Sequence, residues 1–350
     1  MLVTPDTNVH LAMSPRRAPN QPRNTPIPEP FEIIPISTDG FFLSAARRLV
    51  KIFRRWDADA IFVATDREHL IAATACRLSG NGSVVRWTPS GQKLEMGLGG
   101  RWATRLTKTL FLFATETDRR AANIPKGAID SAIAEIGVDV SSYPANGSPT
   151  PAAEPAAIGN EKQEDPRKYI VCVYDPTSRG RAATAIRTMS MLSPRHPNLR
   201  LIIVGPGSDD EDLRMQAAAL RVLHLVSFLG DRDDQINLMR DAHLGWVVAD
   251  ADTGAYGILD LMALGIPTVA SEGGVAQRYI AHGISGALYP TDDSATTAAT
   301  VAGMLLSEES REAMGKAARV RVAREFPEEA MIEGFDRAAN AARSGRSRKA

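Results

Sequence analysis

Two aspartates, Asp252 and Asp260, stand eight positions apart in the run DADTGAYGILDLMALGIPTVAS at residues 250–271. A glycine-containing turn lies between them, and an apolar helix and a strand follow. Backbone N–H groups at the start of such a helix can bind a diphosphate, and a carboxylate accepts hydrogen bonds from a diol. The alternative is that Asp252 is an ordinary acid at a helix start and Asp260 is solvated. The spacing therefore leaves two interpretations open, a ligand site or a plain helix start.

Two further loops carry residue types that suit phosphate. Arg179 and Gly180 follow the apolar run YIVCVY at residues 169–174, and the arginine fork matches phosphate geometry. Gly273 and Gly274 lie in SEGGVAQRY, where glycines let the backbone approach a ligand at a helix N-terminus. The simpler interpretations are a surface arginine and an ordinary turn.

Composition excludes several classes of protein. The 350 residues carry a formal net charge of +0, which gives no case for nucleic acid binding. The two cysteines, Cys76 and Cys172, are predicted to be buried reduced thiols, and they are too few for a structural zinc site. The sequence has no apolar run long enough to span a membrane and no signal-peptide pattern at its start. We therefore expect a cytoplasmic protein.

Strands and helices alternate along the second half of the chain. The apolar runs YIVCVY, LRLIIVG, LHLVSFLG, LGWVVA, PTVAS and GALYP read as strands, and helical patterns separate them. Plain apolar strands alternating with helices predict a parallel sheet covered on both faces. The expected fold is a Rossmann-like, doubly wound domain, whose ligands bind beyond the carboxyl ends of the strands.

The first half shows a weaker version of the same pattern, so the chain is expected to hold two α/β domains. The stretch between them is rich in Pro, Ala, Gly and charge, as interdomain linkers are. The predicted division is a shortened first domain at 1–143, a linker at 144–168, a second domain at 169–340 and a basic, disordered tail at 341–350.

Residues 169–335 resemble the C-terminal domain of the family 4 glycosyltransferases, which are retaining enzymes of the GT-B fold. Three segments carry the resemblance in the right order, namely HPNLRLIIVGPGSDDEDLR, VSFLGDRDDQINLMRDAHLGWVVA and DTGAYGILDLMALGIPTVASEGGVAQRYIAHGISGALYP. The first half fits more loosely, with IGVDVSSYP at 136–144 resembling the end of such an N-terminal domain. The first strand, Gly-rich turn and first helix of that domain are expected to be missing.

The resemblance implies a fold and a set of site residues. The fold is α/β and GT-B-like, with two Rossmann-like doubly wound domains facing a cleft and the N-terminal one incomplete. By resemblance, Asp252 contacts the donor sugar, and Asp260 binds the ribose hydroxyls. The residues implied to surround the diphosphate are Arg179, Gly180, Gly254, Ala255, Tyr256, Gly257, Gly273 and Gly274. No metal or other cofactor is implied.

This chain departs from the family pattern at the positions that matter most. Both acids are Asp where the family has Glu, and a displacement of about 1 Å can cost on the order of a hundredfold in rate. Tyr174 stands where the family has an arginine, so one cation for the leaving diphosphate is lost. These departures keep two functions open. One is a retaining glycosyltransferase that moves a sugar from a nucleotide-diphosphate sugar to an acceptor hydroxyl on a glycan or a lipid-linked compound. The other is an inactive relative that binds a nucleotide sugar or a partner enzyme.

The first half offers weaker candidates for the acceptor side. Arg86, Thr88 and Ser90 end a strand, and His69 is interpreted as a structural histidine. The helix at 41–56 is basic and amphipathic, which is typical of helices that lie on anionic membranes. We therefore expect either a helix packed on its own sheet or peripheral contact with the inner face of the membrane.

Overall fold

In the computed structural model, the described residues are 11–13, 33–35, 42–56, 58–88, 94, 96–144, 169–174, 179–232, 234–248, 253–273, 275–290 and 293–347. They divide into two compact units. The first unit ends at Ile136 and takes up the chain again from Glu328, and the second covers Gly137–Pro327. Nearly all of the predicted linker lies outside the described residues.

The first unit contains a four-stranded parallel sheet in the order β3-β4-β5-β6 and a separate two-stranded parallel sheet, β1-β2. Because the strand order follows the chain order, the described strands of this sheet form no switch point. Its elements, in chain order, are β1 (Leu11–Met13), β2 (Ile33–Pro35), α1 (Phe42–Trp56), β3 (Ala60–Val63), α2 (Asp66–Ser79), β4 (Ser83–Thr88), α3 (Leu98–Leu106), β5 (Thr109–Phe113), α4 (Glu116–Ala121) and β6 (Ala128–Ile133). Helix α4 and strand β6 were not predicted.

Successive side chains of a strand point to opposite faces of the sheet, so the core of the first unit is divided between two faces. Val84 of β4 packs with Leu49 and Phe53 of α1 and with the buried side of α2. Val85 and Leu110, one residue out of phase with Val84 on their strands, pack into a different cluster. Helix α1 is amphipathic because Ala45, Leu49, Ile52 and Phe53, at spacings of three and four, are buried in this core.

The second unit is built on a six-stranded parallel sheet with the order β12-β11-β10-β7-β8-β9, as the alternating pattern predicts. Its elements are β7 (Tyr169–Val173), α5 (Arg179–Leu192), β8 (Arg200–Val204), α6 (Glu211–Ala219), β9 (Val226–Phe228), α7 (Gln235–Arg240), β10 (Leu244–Val247), α8 (Thr253–Leu264), β11 (Thr268–Ser271), α9 (Ala276–Tyr279), β12 (Gly286–Tyr289), α10 (Ser294–Leu305) and α11 (Glu308–Glu325). This is the expected doubly wound topology.

The register of the second sheet is fixed by large buried side chains. Trp246 lies opposite Cys172 of β7 and Val269 of β11. Its indole Nε1 donates to the hydroxyl of Tyr289 at 2.8 Å, and both rings are buried. Cys172 and Cys76 are buried and neither is in a disulfide, which agrees with the prediction of reduced thiols.

The last helix differs from the predicted domain division. Helix α12 (Glu328–Ser347) belongs to the first unit, whereas the prediction put residues up to 340 in the second domain and made 341–350 a disordered tail. The small residues Ala338 and Ala342 are fully buried against strands β4 and β5. Arg343 binds Asp59 at 2.6 Å. The basic residues of this segment therefore end an amphipathic helix, and residues 348–350 lie outside the described part.

No helix within the described ranges combines the length and the hydropathy that a membrane span requires.

Candidate functional site

The strand order of the second sheet reverses between β7 and β10. From β7 the chain continues outward through β8 and β9, and it then returns to place β10 on the other side of β7. Ligands of doubly wound sheets bind beyond the carboxyl ends of the strands at such a switch point. Helix α5, which follows β7, begins at Arg179, and helix α8, which follows β10, begins at Thr253. Two helix N-termini, each carrying partial positive charge, therefore begin at this edge.

Helix α8 packs very closely on strand β7, and Gly257 is the reason. A Cβ atom at this glycine would lie 2.9 Å from Cγ1 of Val173, the last residue of β7. The prediction was that residues 254–257 form a loop whose N–H groups face a diphosphate. They are instead the beginning of α8. A helix leaves only about its first four N–H groups without intrahelical partners. The diphosphate role of Gly254 and Ala255, at the start of α8, therefore stays a prediction, whereas Gly257 is a packing residue.

Asp260 lies further along α8 and is held by an unexpected partner. The hydroxyl of Tyr143 donates to Oδ1 of Asp260 at 2.6 Å. Burial raises the pKa of Asp260 to about 6, and the hydrogen bond from Tyr143 opposes part of that rise. Asp260 is therefore not the solvated helix acid of the plain interpretation. It is a partly buried acceptor that already binds one hydroxyl group.

Tyr143 is itself fixed by the segment that contains it and by helix α11. Asp139 caps the short 3-10 turn Val140–Ser142 by accepting from the backbone N–H of Ser141 at 2.9 Å. The Nη2 atom of Arg319 donates to the carbonyl oxygens of Val140 and Tyr143, at 3.1 and 3.0 Å, and its Nη1 donates to the carbonyl oxygen of Ala263 in α8. Arg319 therefore joins the Tyr143 segment to the helix that carries Asp260.

The remaining predicted residues are distributed unevenly around this edge. Arg179 and Gly180 begin α5, but their side-chain environment lies outside the description. Tyr256 is 52% exposed at the start of α8. Gly273 has a φ of 109° and is exposed. The helix after it, α9, has only 4 residues and contributes little dipole to this loop, and the role of Gly273 at a diphosphate stays a prediction. Asp252 and Gly274 lie outside the described residues.

Tyr174, which directly follows β7, is a core residue. It is 4% exposed and packs in the main core cluster of the second unit. The position where the family pattern has an arginine is therefore filled by a buried aromatic ring.

A separate cavity of about 540 Å³ lies at the opposite edge of the same sheet, beside the residues that precede β10 and β11. Arg311 and Arg319 line it. Both already donate to backbone carbonyl groups, Arg311 to Met304 and Leu305 and Arg319 to Ala263. These two arginines are therefore engaged in holding helices together. The third basic lining residue, Lys316, lies 3.8 Å from the carboxylate of Glu312, and the switch-point edge remains the better candidate.

Three of the residues singled out in the first half also have defined environments. His69 is fully buried, and its Nε2 lies 2.9 Å from the hydroxyl oxygen of Thr109. Burial, with a smaller contribution from the positive charge of Arg86, lowers the pKa of His69 to about 4, so the ring is neutral at pH 7. Arg86 and Thr88 end β4 with 8% and 5% exposure. Ser90 lies outside the described residues.

Sequence reasoning missed Tyr143 and Arg319 as parts of the site. The segment IGVDVSSYP was singled out, but only as the end of a domain. Nothing in the spacing of residues 143 and 260 indicates that their side chains meet, because this contact depends on how the chain leaves the first unit and enters the second.

Part of the chain is similar in sequence to known proteins. Residues 156–321 match the family described as glycosyl transferases group 1. A phosphatidyl-myo-inositol mannosyltransferase from Mycolicibacterium smegmatis is 31% identical over 194 residues, which cover 53% of this chain and 46% of that protein. An N-acetyl-alpha-D-glucosaminyl L-malate synthase from Bacillus anthracis is 26% identical over 137 residues, covering 39% and 36%. The chain thus spans less than half the length of the curated relatives it matches.

The fold comparison extends over more of the chain. The crystal structure of Anabaena HepE in complex with UDP and glucose superposes with a TM-score of 0.69 at 17% identity and covers 89% of this chain and 86% of that one. This likeness concerns the fold, which is that of the GT-B glycosyltransferases with two Rossmann-like domains.

Proposed function

We propose that this chain, which carries a glycosyl transferases group 1 domain at residues 156–321, transfers a sugar from a nucleotide-diphosphate sugar to an acceptor hydroxyl with retention at the anomeric carbon. One observation carries the proposal. The N-termini of α5 and α8 begin beyond the carboxyl ends of β7 and β10, at the switch point of the sheet, and α8 also carries Asp260. Helix N-termini suit a diphosphate, and a carboxylate suits the ribose diol.

The division of roles follows from the chemistry of the groups. The bond between the anomeric carbon and the diphosphate oxygen breaks, and the bond to the acceptor oxygen forms on the same face of the sugar. The acceptor proton leaves with the diphosphate. Donors at the two helix N-termini stabilise the charge on that leaving group. In this proposal Arg179 adds a cation, Asp252 contacts the donor sugar, and no metal or other cofactor takes part.

The names of the relatives bear on the acceptor. One name combines mannose with phosphatidyl-myo-inositol, and the other includes L-malate. Because these acceptors differ in size and in lipid content, we propose only that the acceptor is a hydroxyl compound, either a glycan or a lipid-linked molecule.

Titration calorimetry of the chain with UDP, GDP and ADP, without added metal and again with EDTA, tests the donor site. We expect micromolar binding of one nucleotide, unchanged by EDTA and at least tenfold weaker in Asp260→Ala, because hydrogen bonds to a charged group contribute about 1.5–3 kcal/mol. Glu312→Ala, which removes an exposed acid of α11 in the same unit, is the matched control. Equal binding by wild type and Asp260→Ala removes Asp260 from the site, and failure of all three nucleotides to bind refutes the proposal.

A second candidate function is binding without turnover. Two observations favour it, the burial of Tyr174 in place of a cation and the bond from Tyr143 that already occupies Asp260 Oδ1. Both candidates predict nucleotide binding, so hydrolysis of the bound nucleotide sugar to free sugar separates them. Slow release of nucleoside diphosphate that depends on Asp260 supports transfer, whereas binding with no release supports the second candidate.

We further propose peripheral contact with anionic membranes on the inner face, made through charge. Ala45, Leu49, Ile52 and Phe53 of α1 are buried in the core of the first unit, so these side chains are not available for insertion into a membrane. Arg47, Arg48 and Lys51 are exposed, and α3 exposes Leu98 and Trp102 by 80% and 60%.

Flotation with phosphatidylglycerol vesicles and with pure phosphatidylcholine vesicles tests this contact. We expect binding to the first only, lost in high salt, and weakened by Arg47→Gln with Lys51→Gln. Equal flotation with both lipids contradicts an electrostatic contact.

A further inference from the structure

Arg319 of α11 binds the segment of the second unit that brings Tyr143 to the proposed donor site. Its Nη2 donates to the carbonyl oxygens of Val140 and Tyr143, at 3.1 and 3.0 Å, and its Nη1 donates to that of Ala263. The hydroxyl of the same tyrosine lies 2.6 Å from Oδ1 of Asp260. Ala263 follows Asp260 by three residues on α8, which puts both on one side of that helix. Arg319 therefore binds the backbone of Tyr143, while Asp260 binds its side chain.

The packing of α8 on α11 does not depend on Arg319. A Cβ atom at Gly315, one turn before Arg319 on α11, would collide with the carbonyl oxygen of Gly265, which directly follows α8. The backbones therefore already touch, and this glycine contact fixes their spacing. The beginning of the tyrosine-bearing segment is also fixed by other groups, because the backbone N–H of Val138 donates to the carbonyl oxygen of Phe326 at 3.0 Å. The specific contribution of Arg319 is to bind the end of that segment.

The ionisation of Asp260 responds to Tyr143, which is the titratable group that faces it. Burial raises the pKa of Asp260 to about 6, and the hydrogen bond from Tyr143 opposes part of that rise. Among the described residues of the elements packed against α8, namely α7, α9, α11, β10 and β11, no charged side chain shifts this pKa. An effect of Arg319 on Asp260 must therefore pass through Tyr143. The cations of these elements have other partners, Arg240 on Asp241, Arg278 on the ring of Phe326, Lys316 on Glu312 and Arg319 on its carbonyl groups.

We propose that Arg319 is a positioning residue for the proposed donor site, because it holds the segment that places the hydroxyl of Tyr143 on Asp260. Arg319 contacts neither the donor nor the carboxylate, and it acts only through the tyrosine. Without Arg319 the end of the segment is released, and Asp260 loses its hydroxyl donor. The ionised carboxylate is then reached only at higher pH. The name donor site rests on the proposed function, whereas the link from Arg319 through Tyr143 to Asp260 does not.

NMR of the full chain, isotope-labelled at the aspartate carboxyl carbons and without nucleotide, measures the titration of Asp260. The variant Asp260→Asn assigns its signal. We expect Arg319→Met to move the midpoint upward by on the order of one pH unit, because a hydrogen bond to a charged group changes an equilibrium about tenfold or more. Arg319→Lys should give a smaller shift, since one ammonium group lacks the fixed fork that binds several carbonyl oxygens at once. This variant also provides the test if Arg319→Met does not fold.

A double-mutant cycle tests whether the effect passes through the tyrosine. In Tyr143→Phe the hydrogen bond is already lost, so adding Arg319→Met should leave the midpoint where Tyr143→Phe alone puts it. Arg311→Met is the matched control, because Arg311 lies on the same helix and also donates to carbonyl groups, those of Met304 and Leu305. This control should lower the melting temperature without moving the midpoint.

Three results would overturn the proposal. The first is a midpoint of Asp260 that is the same in wild type and in the Arg319 variants. The second is a shift that Arg319→Met still causes in the Tyr143→Phe background, because Arg319 would then act without the tyrosine. The third is an equal shift in Arg311→Met, because general loosening of the unit would explain both. Nucleotide binding is measured separately, so its absence would contradict the proposed function while the titration still decides the role of Arg319.

Discussion

Asp260 in the second unit and Arg86 in the first both carry charged side chains in buried surroundings. They differ in how far the protein supplies their hydrogen-bond partners. Asp260 Oδ1 accepts the hydroxyl of Tyr143 at 2.6 Å, whereas Arg86 Nε and Nη1 have no partner. Under the proposed function, the hydroxyl of Tyr143 competes with a ribose hydroxyl for Asp260 Oδ1. In the first unit, Arg86 has two N–H groups without a partner beside its ion pair with Asp66 at 3.5 Å.

This difference bears on stability as well as on binding. A polar group that already has a protein partner loses that hydrogen bond when a ligand binds, whereas a group without a partner only gains one. We therefore expect polar-to-apolar changes to destabilise the protein where a partner exists and to be neutral or stabilising where none does. The comparison of two threonines below tests this rule, and the predictions are ordered from the largest expected effect to the smallest.

The largest effect is expected at Asp260, because its carboxylate is unfavourably buried. Its pKa is raised to about 6, so the folded protein binds the proton more tightly than the unfolded chain, and stability falls as pH rises from about 4 to 6. Asp260→Asn removes the charge and should stabilise the second unit at pH 8 by on the order of 3 kcal/mol at most, with no gain near pH 4. Urea unfolding at both pH values measures the difference.

Asp293→Asn is the matched control for this prediction. The pKa of Asp293 is lowered, chiefly by hydrogen bonds from Thr296, and Asp293 caps helix α10. The stabilising contribution of Asp293 is present above the ordinary pKa of the group and is lost as pH falls. Its pH dependence is therefore opposite in direction to that of Asp260. A gain for Asp260→Asn that is equal at pH 4 and pH 8 would show that burial of the charge is not its cause.

The next effect compares two buried threonines, one with a partner and one without. The hydroxyl oxygen of Thr109 lies 2.9 Å from His69 Nε2, whereas the hydroxyl of the fully buried Thr188 has no partner. Thr109→Val should therefore destabilise the protein by about 1–3 kcal/mol, because it leaves His69 Nε2 unsatisfied. Thr188→Val should be neutral or stabilising. Chemical denaturation of both variants checks this, and equal losses would refute the rule.

The two regions also differ in how far the sequence could predict them. The second sheet and the two helices at its switch point were predicted because apolar strands and helix starts are local patterns. The role of Tyr143 and the buried polar atoms without a hydrogen-bond partner around Arg86 were not predicted. Both depend on contacts across long stretches of chain, such as residues 143 and 260 or 66 and 86. The last helix was missed for the same reason, since the burial of Ala338 and Ala342 depends on strands far away in sequence.

A smaller effect is expected in the pH dependence of donor binding. If ionised Asp260 accepts the ribose hydroxyls, then a pKa of about 6 predicts about a tenfold loss of affinity from pH 7 to pH 5. An intact nucleotide sugar is the right probe, because its diphosphate is esterified at both ends and does not titrate in this range. Calorimetry should show no such loss in Asp260→Asn. A wild-type affinity that is equal at pH 5 and pH 7 would contradict a role for the ionised carboxylate.

The smallest effect isolates the hydrogen bond from Tyr143. This bond lowers the pKa of Asp260 against the effect of burial, so Tyr143→Phe should move the midpoint of the pH dependence of donor binding upward. At pH 8 affinity should be equal to or tighter than in wild type, because the ligand no longer competes with the tyrosine hydroxyl for Asp260 Oδ1. Tyr169→Phe removes another hydroxyl of the same unit, which donates to the carbonyl of Leu238 at 2.9 Å, and should leave the midpoint unchanged. If both variants shift the midpoint equally, the change reflects general loosening of the unit. If Tyr143→Phe abolishes binding at pH 8, then Tyr143 contacts the ligand directly and does not merely occupy its place.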